Sequence, residues 1–328
     1  MQLTSTSTGR TTLAQGSNVT FSCGILAVLL LDMTSTLKIR NAQLVTCSLK
    51  GLNLIRRSEN RANPENQYKA AMNETDRARV SVVVPVYNEQ ATLATVVRKL
   101  LRIPSLFEIV IVDDCSTDQT AEIASQLAKD YPAVRHVSHT QNAGKTEALK
   151  TGFALTRGDI VIVQDADLEY DPDEIPNVIQ PILDGHADVV YGSRFLVRKA
   201  SRVLYFYHYL ANKALTFTSN LLTNLNMTDV ETGYKAFRGD IVRNMIITSH
   251  GFGFEIEVTA KVAKLKCAVY EVPISYYGRT YEQGKKIGVL DGIAAFWLVF
   301  RFNLFCGVRA SFRQVPPLLP ISNRQPPL

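Results

Sequence analysis

From Val80 onward, short uninterrupted runs of hydrophobic residues alternate with amphipathic segments. The first run, VSVVVPV at 80–86, is rich in β-branched residues and ends at a turn, which is typical of a buried strand. Residues 89–101 follow with apolar positions at helical spacing. The same alternation predicts further strands at 108–114, 134–139, 159–167 and 187–193, and further helices after Ser116, at 144–155 and after Asp171-Pro172.

This alternation of apolar strands with amphipathic helices indicates an α/β fold. Strands without polar alternation are buried on both faces, so we expect a mainly parallel sheet with helices on both faces. A sheet of this kind binds its ligands outside the carboxyl ends of the strands. The sequence therefore predicts that the functional side chains lie in the segments that follow the strands.

Acidic residues collect in those segments. They follow the first, second and fourth predicted strands: Glu89, Asp113, Asp114, Asp165, Asp167 and Glu169. Carboxylates that crowd together repel one another unless a cation lies among them. Hard divalent ions such as Mg²⁺ prefer oxygen ligands and commonly bridge phosphates. The pair Asp165-x-Asp167 therefore predicts a site for Mg²⁺ or Mn²⁺.

The charge of the chain is unevenly distributed. Its net charge is +6 over 328 residues, and residues 1–71 carry eight Lys and Arg against three Asp and Glu. The remainder is almost neutral, with 28 basic against 27 acidic residues, which gives no support to a nucleic-acid-binding face. Five scattered cysteines without a C-x-x-C pair argue against a zinc site or a disulfide framework and favour a reducing compartment.

Two nucleotide-binding motifs can be set aside. The segment QNAGKT at 141–146 is similar to the end of a P-loop, but His139 stands where that motif needs its first glycine. No G-x-G-x-x-G follows a predicted strand, which disfavours a dinucleotide-dependent dehydrogenase.

Seven motifs occur in a fixed order along the chain. They are PVYNE (85–89), VDDCSTDQT (112–120), NAGKTEAL (142–149), QDADLEYDP (164–172), GSRF (192–195), DVETGYKAFR (229–238) and VPISYYGRTYEQGKK (272–286). On these motifs the chain, from about Val80 to about Asn303, resembles an inverting glycosyltransferase of family 2. More narrowly, it is similar to the dolichol- or polyprenyl-phosphate mannose and glucose synthases. One such motif is a weak signal, whereas seven in order are specific.

The resemblance implies a type A glycosyltransferase fold, which is a Rossmann-like sheet, and transfer of a hexose to a polyprenyl or dolichyl phosphate. Mannose is the first expectation for the sugar and glucose the second, with GDP-mannose or UDP-glucose as the donor, and the sequence does not choose between GDP and UDP. The donor's base and ribose would contact five residues: Pro85, Tyr87, Glu89, Asp113 and Asp114. Asp165 and Asp167 would bring the metal to the diphosphate. Glu169 would lie near the metal, although related synthases often carry Gln at that position.

The resemblance also implies an acceptor side. Arg194, Arg279 and Lys285 would bind phosphate oxygens, a task that suits bidentate arginine. Asp229 would be a base if the acceptor were a hydroxyl, or alternatively a cap on its segment. The synthases usually carry an arginine before an Ala-Asn pair, but Leu210 holds that position in this chain, and His208 or Lys213 would have to substitute.

Two rival functions stay open at this stage. The first is a family 2 transferase with a saccharide hydroxyl as acceptor. The second is a nucleotide-sugar-binding module that has lost catalysis, which the competent residues at the implied catalytic positions disfavour. The most useful experiment is an assay of GDP-mannose and UDP-glucose against a short polyprenyl phosphate, with and without manganese.

The sequence divides into four parts. Residues 1–71 are expected to be a poorly ordered extension, a targeting segment or the product of an upstream start site. Residues 80–240 would form the nucleotide-sugar-binding core, 241–305 the acceptor and membrane-surface part of the same domain, and 306–328 a Pro-rich tail. The apolar run at 293–300 is flanked by basic residues, which predicts peripheral attachment to the cytoplasmic face of a membrane.

If residues 1–71 are dispensable, a chain that begins at Met72 should fold and bind the donor like the full chain, because the first predicted strand starts only at Val80. Circular dichroism and donor binding of the two proteins, measured side by side, test this. Aggregation of the shorter chain would show instead that the extension packs on the core.

Overall fold

The structure, a computed structural model, describes residues 78–196, 202, 205–251, 253–279 and 289–318. The predicted extension at 1–71 and the predicted phosphate ligand Lys285 lie outside these residues. The strands are β1 (Val80–Val86), β2 (Leu106–Asp113), β3 (Val134–Ser138), β4 (Ile160–Val163), β5 (Val189–Ser193), β6 (Lys235–Arg238) and β7 (Val269–Pro273).

The helices begin and end as follows: α1 (Leu93–Leu100), α2 (Thr120–Asp130), α3 (Lys145–Leu155), α4 (Ile175–Leu183), α5 (Phe206–Thr223), α6 (Gly239–Asn244), α7 (Phe254–Leu265), α8 (Val289–Leu304) and α9 (Val308–Ser311). A short 3₁₀ turn, Pro172–Glu174, precedes α4. Asp171 caps this turn by accepting a hydrogen bond from the Asp173 backbone N–H, and Pro172 starts it, as the sequence predicts.

The strands of the described residues form one seven-stranded sheet in the order β3-β2-β1-β4-β6-β5-β7. All neighbouring pairs are parallel except those of β6, which runs antiparallel to both β4 and β5. The expectation of a mainly parallel α/β sheet is therefore confirmed.

Helices cover both faces of the sheet. Val82 and Val84 of β1 pack with α1, α2 and α4 on one face. Val83 points to the other face, where it packs with α3 and with the cluster formed by α6, α7 and α8. Gly152 of α3 lies so close to Val83 that a Cβ at this position would collide with the valine side chain. Both faces of the central strands are thus buried, which is why their sequences are continuously apolar.

Three details differ from the sequence-based expectations. β6 and β7 were not predicted as strands, because β6 is only four residues long and β7 is a partly exposed edge strand. The fourth strand ends at Val163, so Asp165 and Asp167 lie in the loop after it. Helix α1 begins at Leu93 rather than at Glu89, which leaves Glu89 in the loop that follows β1.

The topology decides which loops meet. The carboxyl ends of β1, β2, β4 and β5 lie at one edge of the sheet, because these strands run in the same direction. β6 runs in the opposite direction, so its amino-terminal end reaches that same edge. Residues 229–234, which precede β6, therefore join the loops that follow the parallel strands.

Candidate active site

The D-x-D segment forms a tight loop directly after β4. Leu168 adopts a left-handed conformation with φ of 61°, and the Glu169 backbone N–H donates to Asp167 Oδ1 at 3.0 Å. Glu169 in turn accepts hydrogen bonds from the Tyr276 hydroxyl at 2.9 Å and from the Arg279 backbone N–H at 2.7 Å. The turn brings the two aspartates and Glu169 together, as the sequence predicts.

The ionised form of Asp167 is disfavoured in this arrangement. Burial raises its pKa, and the neighbouring charges of Asp165 and Glu169 raise it further, to about 7. Asp165 is better compensated, since its Oδ1 lies 2.9 Å from Lys145 Nζ. No three acidic, His or Cys side chains within the described residues are arranged as a ready-made metal cage. A cation held by one or two carboxylates and by phosphate oxygens needs no such cage, and it would relieve the repulsion at Asp167.

The residues expected on the donor side divide into two groups. Glu89 and Tyr87 lie half-buried in the loop after β1, and Glu89 forms a bidentate pair with Arg279, with both N–O distances at 2.8 Å. Pro85 is buried within β1, opposite Val112 of β2. The Arg279 guanidinium, which is paired with Glu89, also donates to the Asp167 backbone carbonyl at 3.0 Å. Arg279 therefore links the loop after β1 to the D-x-D loop.

The two aspartates at the end of β2 accept hydrogen bonds from backbone N–H groups of the loops beside them. Asp113 accepts hydrogen bonds from the Ser116 backbone N–H at 3.3 Å. Asp114 binds the His139 ring at 2.7 Å and accepts from the backbone N–H groups of Ala143 and Gly144. Gly144 has a φ of 89° and immediately precedes α3, so the Asp114 carboxylate fixes the entry to that helix.

The group of residues expected on the acceptor side centres on Arg194, the residue that follows β5. Its Nε and Nη2 donate to the two carboxylate oxygens of Asp229 at 2.7 and 2.8 Å. Burial would raise the pKa of Asp229, but the charge and hydrogen bonds of Arg194 outweigh burial and hold that pKa below its ordinary value. A carboxylate bound in this way is a poor proton acceptor. Its geometry is that of a residue that positions Arg194, rather than of a base.

Lys213 of α5 lies beside Phe195, the residue that follows Arg194. Its Nζ donates to the Thr228 carbonyl at 3.1 Å and lies 4.1 Å from the centre of the Phe195 ring. Of the two candidates to replace the missing arginine, Lys213 thus reaches the GSRF segment itself. His208 lies one turn earlier on α5, with its ring 5.9 Å from that of Tyr205.

A group of charged residues behind these loops is not predicted by the sequence pattern. Lys145 Nζ lies 3.3 Å from the buried Glu255, as well as beside Asp165. Glu231 and Lys235, which flank the turn before β6, also belong to the group. Burial and the charge of Glu255 raise the pKa of Glu231 to about 7, whereas burial lowers that of Lys235 to about 8. Two glutamates in the apolar helix FEIEV were the available signal for Glu255.

Comparison with solved structures identifies the fold. Glucosyl-3-phosphoglycerate synthase from Mycobacterium tuberculosis, in complex with UDP, matches with a TM-score of 0.55 at 21% identity, over 69% of this chain and 80% of that one. The same protein in complex with Mn²⁺ and UDP-glucose also matches with a TM-score of 0.55 at 21% identity, over 69% and 79% of the two chains. The fold is therefore that of the type A glycosyltransferases.

Sequence comparison identifies the family. The family model described as "Glycosyl transferase family 2" matches residues 81–246, so the chain belongs to glycosyltransferase family 2. Undecaprenyl-phosphate mannosyltransferase of Micrococcus luteus is 30% identical over 66% of this chain and 90% of that protein. Polyprenol monophosphomannose synthase of Mycolicibacterium smegmatis is 30% identical over 64% and 82%. Dolichol-phosphate mannosyltransferase of Pyrococcus furiosus is 32% identical over 64% of this chain but only 60% of that protein. The family indicated by the sequence motifs is confirmed.

The Arg194–Asp229 pair yields a prediction for stability. Asp229→Asn leaves the guanidinium buried without its counter-charge, which should lower the free energy of unfolding by about 3–5 kcal/mol at neutral pH. Since the folded-state pKa of Asp229 is lowered, its contribution is present above the unfolded-state pKa of about 3.9 and is lost as the pH falls through the folded value. Urea unfolding of both proteins should therefore show a difference that shrinks below about pH 4.

A matched control for this measurement is Asp159→Asn, which breaks the exposed ion pair with Arg79. Because solvent screens that pair, its loss should change the unfolding free energy far less. A difference between wild type and Asp229→Asn that stays constant down to strongly acidic pH would contradict the assigned pairing.

Proposed function

We propose that this protein transfers a hexose from a nucleoside diphosphate sugar to a polyprenyl or dolichyl phosphate at a membrane surface. Mannose is the first choice of sugar and glucose the second. The names of the relatives support a polyprenyl phosphate acceptor, and three of them act on mannose. The observation that carries the proposal is the division of the site into a carboxylate cluster at Asp167 and a buried arginine at Arg194, with Asp229, the base that the family motif would supply, bound to that arginine.

This division matches the chemistry of a phosphate acceptor. A phosphate monoester is already largely ionised at neutral pH, so its oxygen attacks the anomeric carbon without a general base. A new C–O bond forms, the bond from the anomeric carbon to the diphosphate breaks, and the nucleoside diphosphate leaves with the electron pair. The configuration is inverted because attack and departure take place on opposite faces. A hydroxyl acceptor would need a base to take its proton, and Asp229 is poorly suited to that task.

The residues of this chain then have distinct roles. Arg194, held rigid by Asp229, would bind the acceptor phosphate through the guanidinium edge that Asp229 leaves free. Arg279 and Lys285 would neutralise the charges of the donor and acceptor phosphates, since two anions must approach each other. Tyr87 and Glu89 would contact the nucleoside, with Pro85, Asp113 and Asp114 shaping the loops around it.

A divalent cation, Mg²⁺ or Mn²⁺, would be held by Asp167 and Asp165, with Glu169 beside them. When bound, it neutralises charge on the leaving diphosphate. The raised pKa of Asp167 is consistent with this assignment, because burial and, after it, the charges of Asp165 and Glu169 disfavour a carboxylate that has no cation beside it. The Mn²⁺ complex of the structurally similar synthase is consistent with it.

An assay of the wild-type protein with GDP-mannose or UDP-glucose, a short polyprenyl phosphate and Mn²⁺ should yield a lipid-linked hexose. Asp167→Asn removes a charge from the cation site and should lower turnover by about two or more orders of magnitude. Asp184→Asn, on an exposed residue at the end of α4, is the matched control and should keep full turnover. Unchanged activity of Asp167→Asn, or of the wild type in excess chelator, would refute the metal assignment.

Attachment to the membrane is the second part of the proposal. No helix of the described residues is long and apolar enough to span a bilayer. Helix α8 buries Ala295 and Val299 but leaves Trp297 63% exposed. Helix α5, which packs beside α8, leaves Phe206, Phe217 and Leu221 about as exposed. We call Phe206, Leu210, Phe217, Leu221, Trp297, Phe300 and Leu304 the aromatic–aliphatic patch.

An exposed surface of this kind suits the interface of a bilayer, where aromatic rings enter the headgroup region. A lipid acceptor with a long isoprenoid tail stays in the membrane, so its enzyme must reach the membrane surface. The proposed location is the cytoplasmic face, in keeping with five scattered cysteines without a C-x-x-C pair, which favour a reducing compartment. The predicted run at 293–300 thus contributes one part of a wider patch.

Replacing Phe217 and Trp297 with Ser should abolish co-sedimentation with liposomes and raise the apparent KM for the lipid acceptor, while donor binding stays unchanged. Both side chains are largely exposed, so the variant should remain folded. The control is Leu183→Ser, an exposed apolar residue of α4 on the opposite face of the sheet. A folded double variant that still sediments with liposomes would exclude this patch as the attachment surface.

A further inference from the structure

A chain of charged groups connects the two halves of the site. It starts at Asp165, passes to Lys145 at 2.9 Å and then to Glu255 at 3.3 Å. Glu231 lies near enough to both Glu255 and Arg194 for their charges to act on it. The chain therefore spans the floor between the cation site and the acceptor arginine.

Among these charged groups, Glu231 has a carboxylate oxygen, Oε1, that lacks a hydrogen-bond partner. Its Oε1 is shielded from solvent and accepts no hydrogen bond. Its neighbours are all bound: Asp229 to Arg194, Glu255 to Lys145, and Lys235 to the carbonyls of Val230 and Thr232. A shielded oxygen without a partner costs free energy, so such a group calls for an explanation in a folded protein.

The loop that carries Glu231 is fitted closely to the cation site. A Cβ on Gly233 would lie 2.7 Å from Asp165 Oδ2 and 3.1 Å from Lys145 Nζ, so the loop passes directly beside these two side chains, which would have to shift to admit a larger residue. Tyr170 supports the same turn, because its hydroxyl accepts from the Gly233 backbone N–H at 3.2 Å. The turn that carries Glu231 is thus held at Gly233, while the Oε1 of Glu231 accepts no hydrogen bond.

The position of Glu231 indicates its ligand. In the proposed reaction the leaving diphosphate lies at Asp165 and Asp167 and the acceptor phosphate at Arg194, so the hexose lies between them. A hexose presents hydroxyl donors, for which a carboxylate oxygen is a strong acceptor. A phosphate would be repelled by Glu231 and Glu255, and a second cation by Lys145 and Arg194, so neither suits this floor.

We propose that Glu231 is a sugar-recognition residue, whose Oε1 accepts a hydrogen bond from a hydroxyl group of the transferred hexose. Lys145 and Glu255 lie beside it and complete a polar floor with donors as well as acceptors. The inference rests on the proposed function, because it needs a nucleoside diphosphate sugar in the site. It assigns to this loop a choice between hexoses that differ in a single hydroxyl.

The test measures donor binding without any acceptor. Calorimetric titrations with Mn²⁺ compare GDP-mannose with GDP, and UDP-glucose with UDP, for wild type, Glu231→Ala and Glu231→Gln. Glu231→Ala should lower the affinity for the nucleotide sugar that the wild type prefers by about 10- to 100-fold. Its affinity for the nucleoside diphosphate alone should stay within about twofold of the wild-type value. Glu231→Gln should lose less, since its amide oxygen still accepts. Glu122→Gln, on the exposed face of α2, is the control and should bind both ligands like wild type.

Mono-deoxy analogues of the preferred donor identify the hydroxyl. One analogue should bind the wild type more weakly, yet Glu231→Ala should bind that analogue and the parent donor equally well, because the same hydrogen bond is already lost. The proposal is overturned if Glu231→Ala lowers the affinities for nucleotide sugar and nucleoside diphosphate by the same factor. It is also overturned if each deoxy analogue binds more weakly than the parent donor by the same factor in both proteins. The same holds if the wild type binds no nucleotide sugar.

The transfer assay separates this inference from the proposed function. Loss of only the sugar-dependent part of donor binding in Glu231→Ala supports the inference even if no transfer to polyprenyl phosphate is observed, in which case the proposed acceptor is wrong. Transfer by the wild type together with normal donor binding by Glu231→Ala would keep the proposed function and reject Glu231 as a sugar contact.

Discussion

The site depends on the neutralisation of carboxylates that the sheet brings to one edge. Parallel strands deliver Glu89, Asp114, Asp165 and Asp167 there, and the turn before β6 adds two more acidic side chains. Most of these are bound by a cation or by backbone N–H groups, as Glu89 is by Arg279 and Asp114 by the loop before α3. Neighbouring like charges would otherwise destabilise the folded chain.

Two carboxylates at this edge are left with little or no compensation. Asp167 and Glu231 both have a pKa raised to about 7, in each case by burial first and by a neighbouring acidic group next. Raised pKa values of this kind are common where a ligand completes the electrostatics of a site. We propose a different ligand for each carboxylate: a divalent cation for Asp167 and a sugar hydroxyl for Glu231.

The antiparallel strand β6 explains how an otherwise parallel sheet builds both halves of the site. Because β6 runs against its neighbours, the segment that precedes it reaches the same edge as the segments that follow β4 and β5. Asp229 is thereby placed against Arg194, and Gly233 against Asp165. A parallel strand at this position would have carried that segment to the opposite edge, and Arg194 would lack its carboxylate partner.

The sequence by itself determined the fold class and the segments in which the candidate site residues lie. Continuous apolar runs such as 80–86 and 160–163 can be buried only between two helical layers, and their direction fixes where Asp165 and Arg194 lie. It did not determine partners that are distant along the chain. Asp229 was open to a role as base or cap until the tertiary structure paired it with Arg194, which lies 35 residues earlier. Glu231, Glu255 and Lys145 carry no local signal of a common role, because only the reversed strand β6 and the start of α7 bring them together. The local hydrophobic pattern of a sequence predicts which segments are buried and in which direction they run. Which charged side chains pair depends instead on the order and direction of the strands, because these decide which loops lie next to each other.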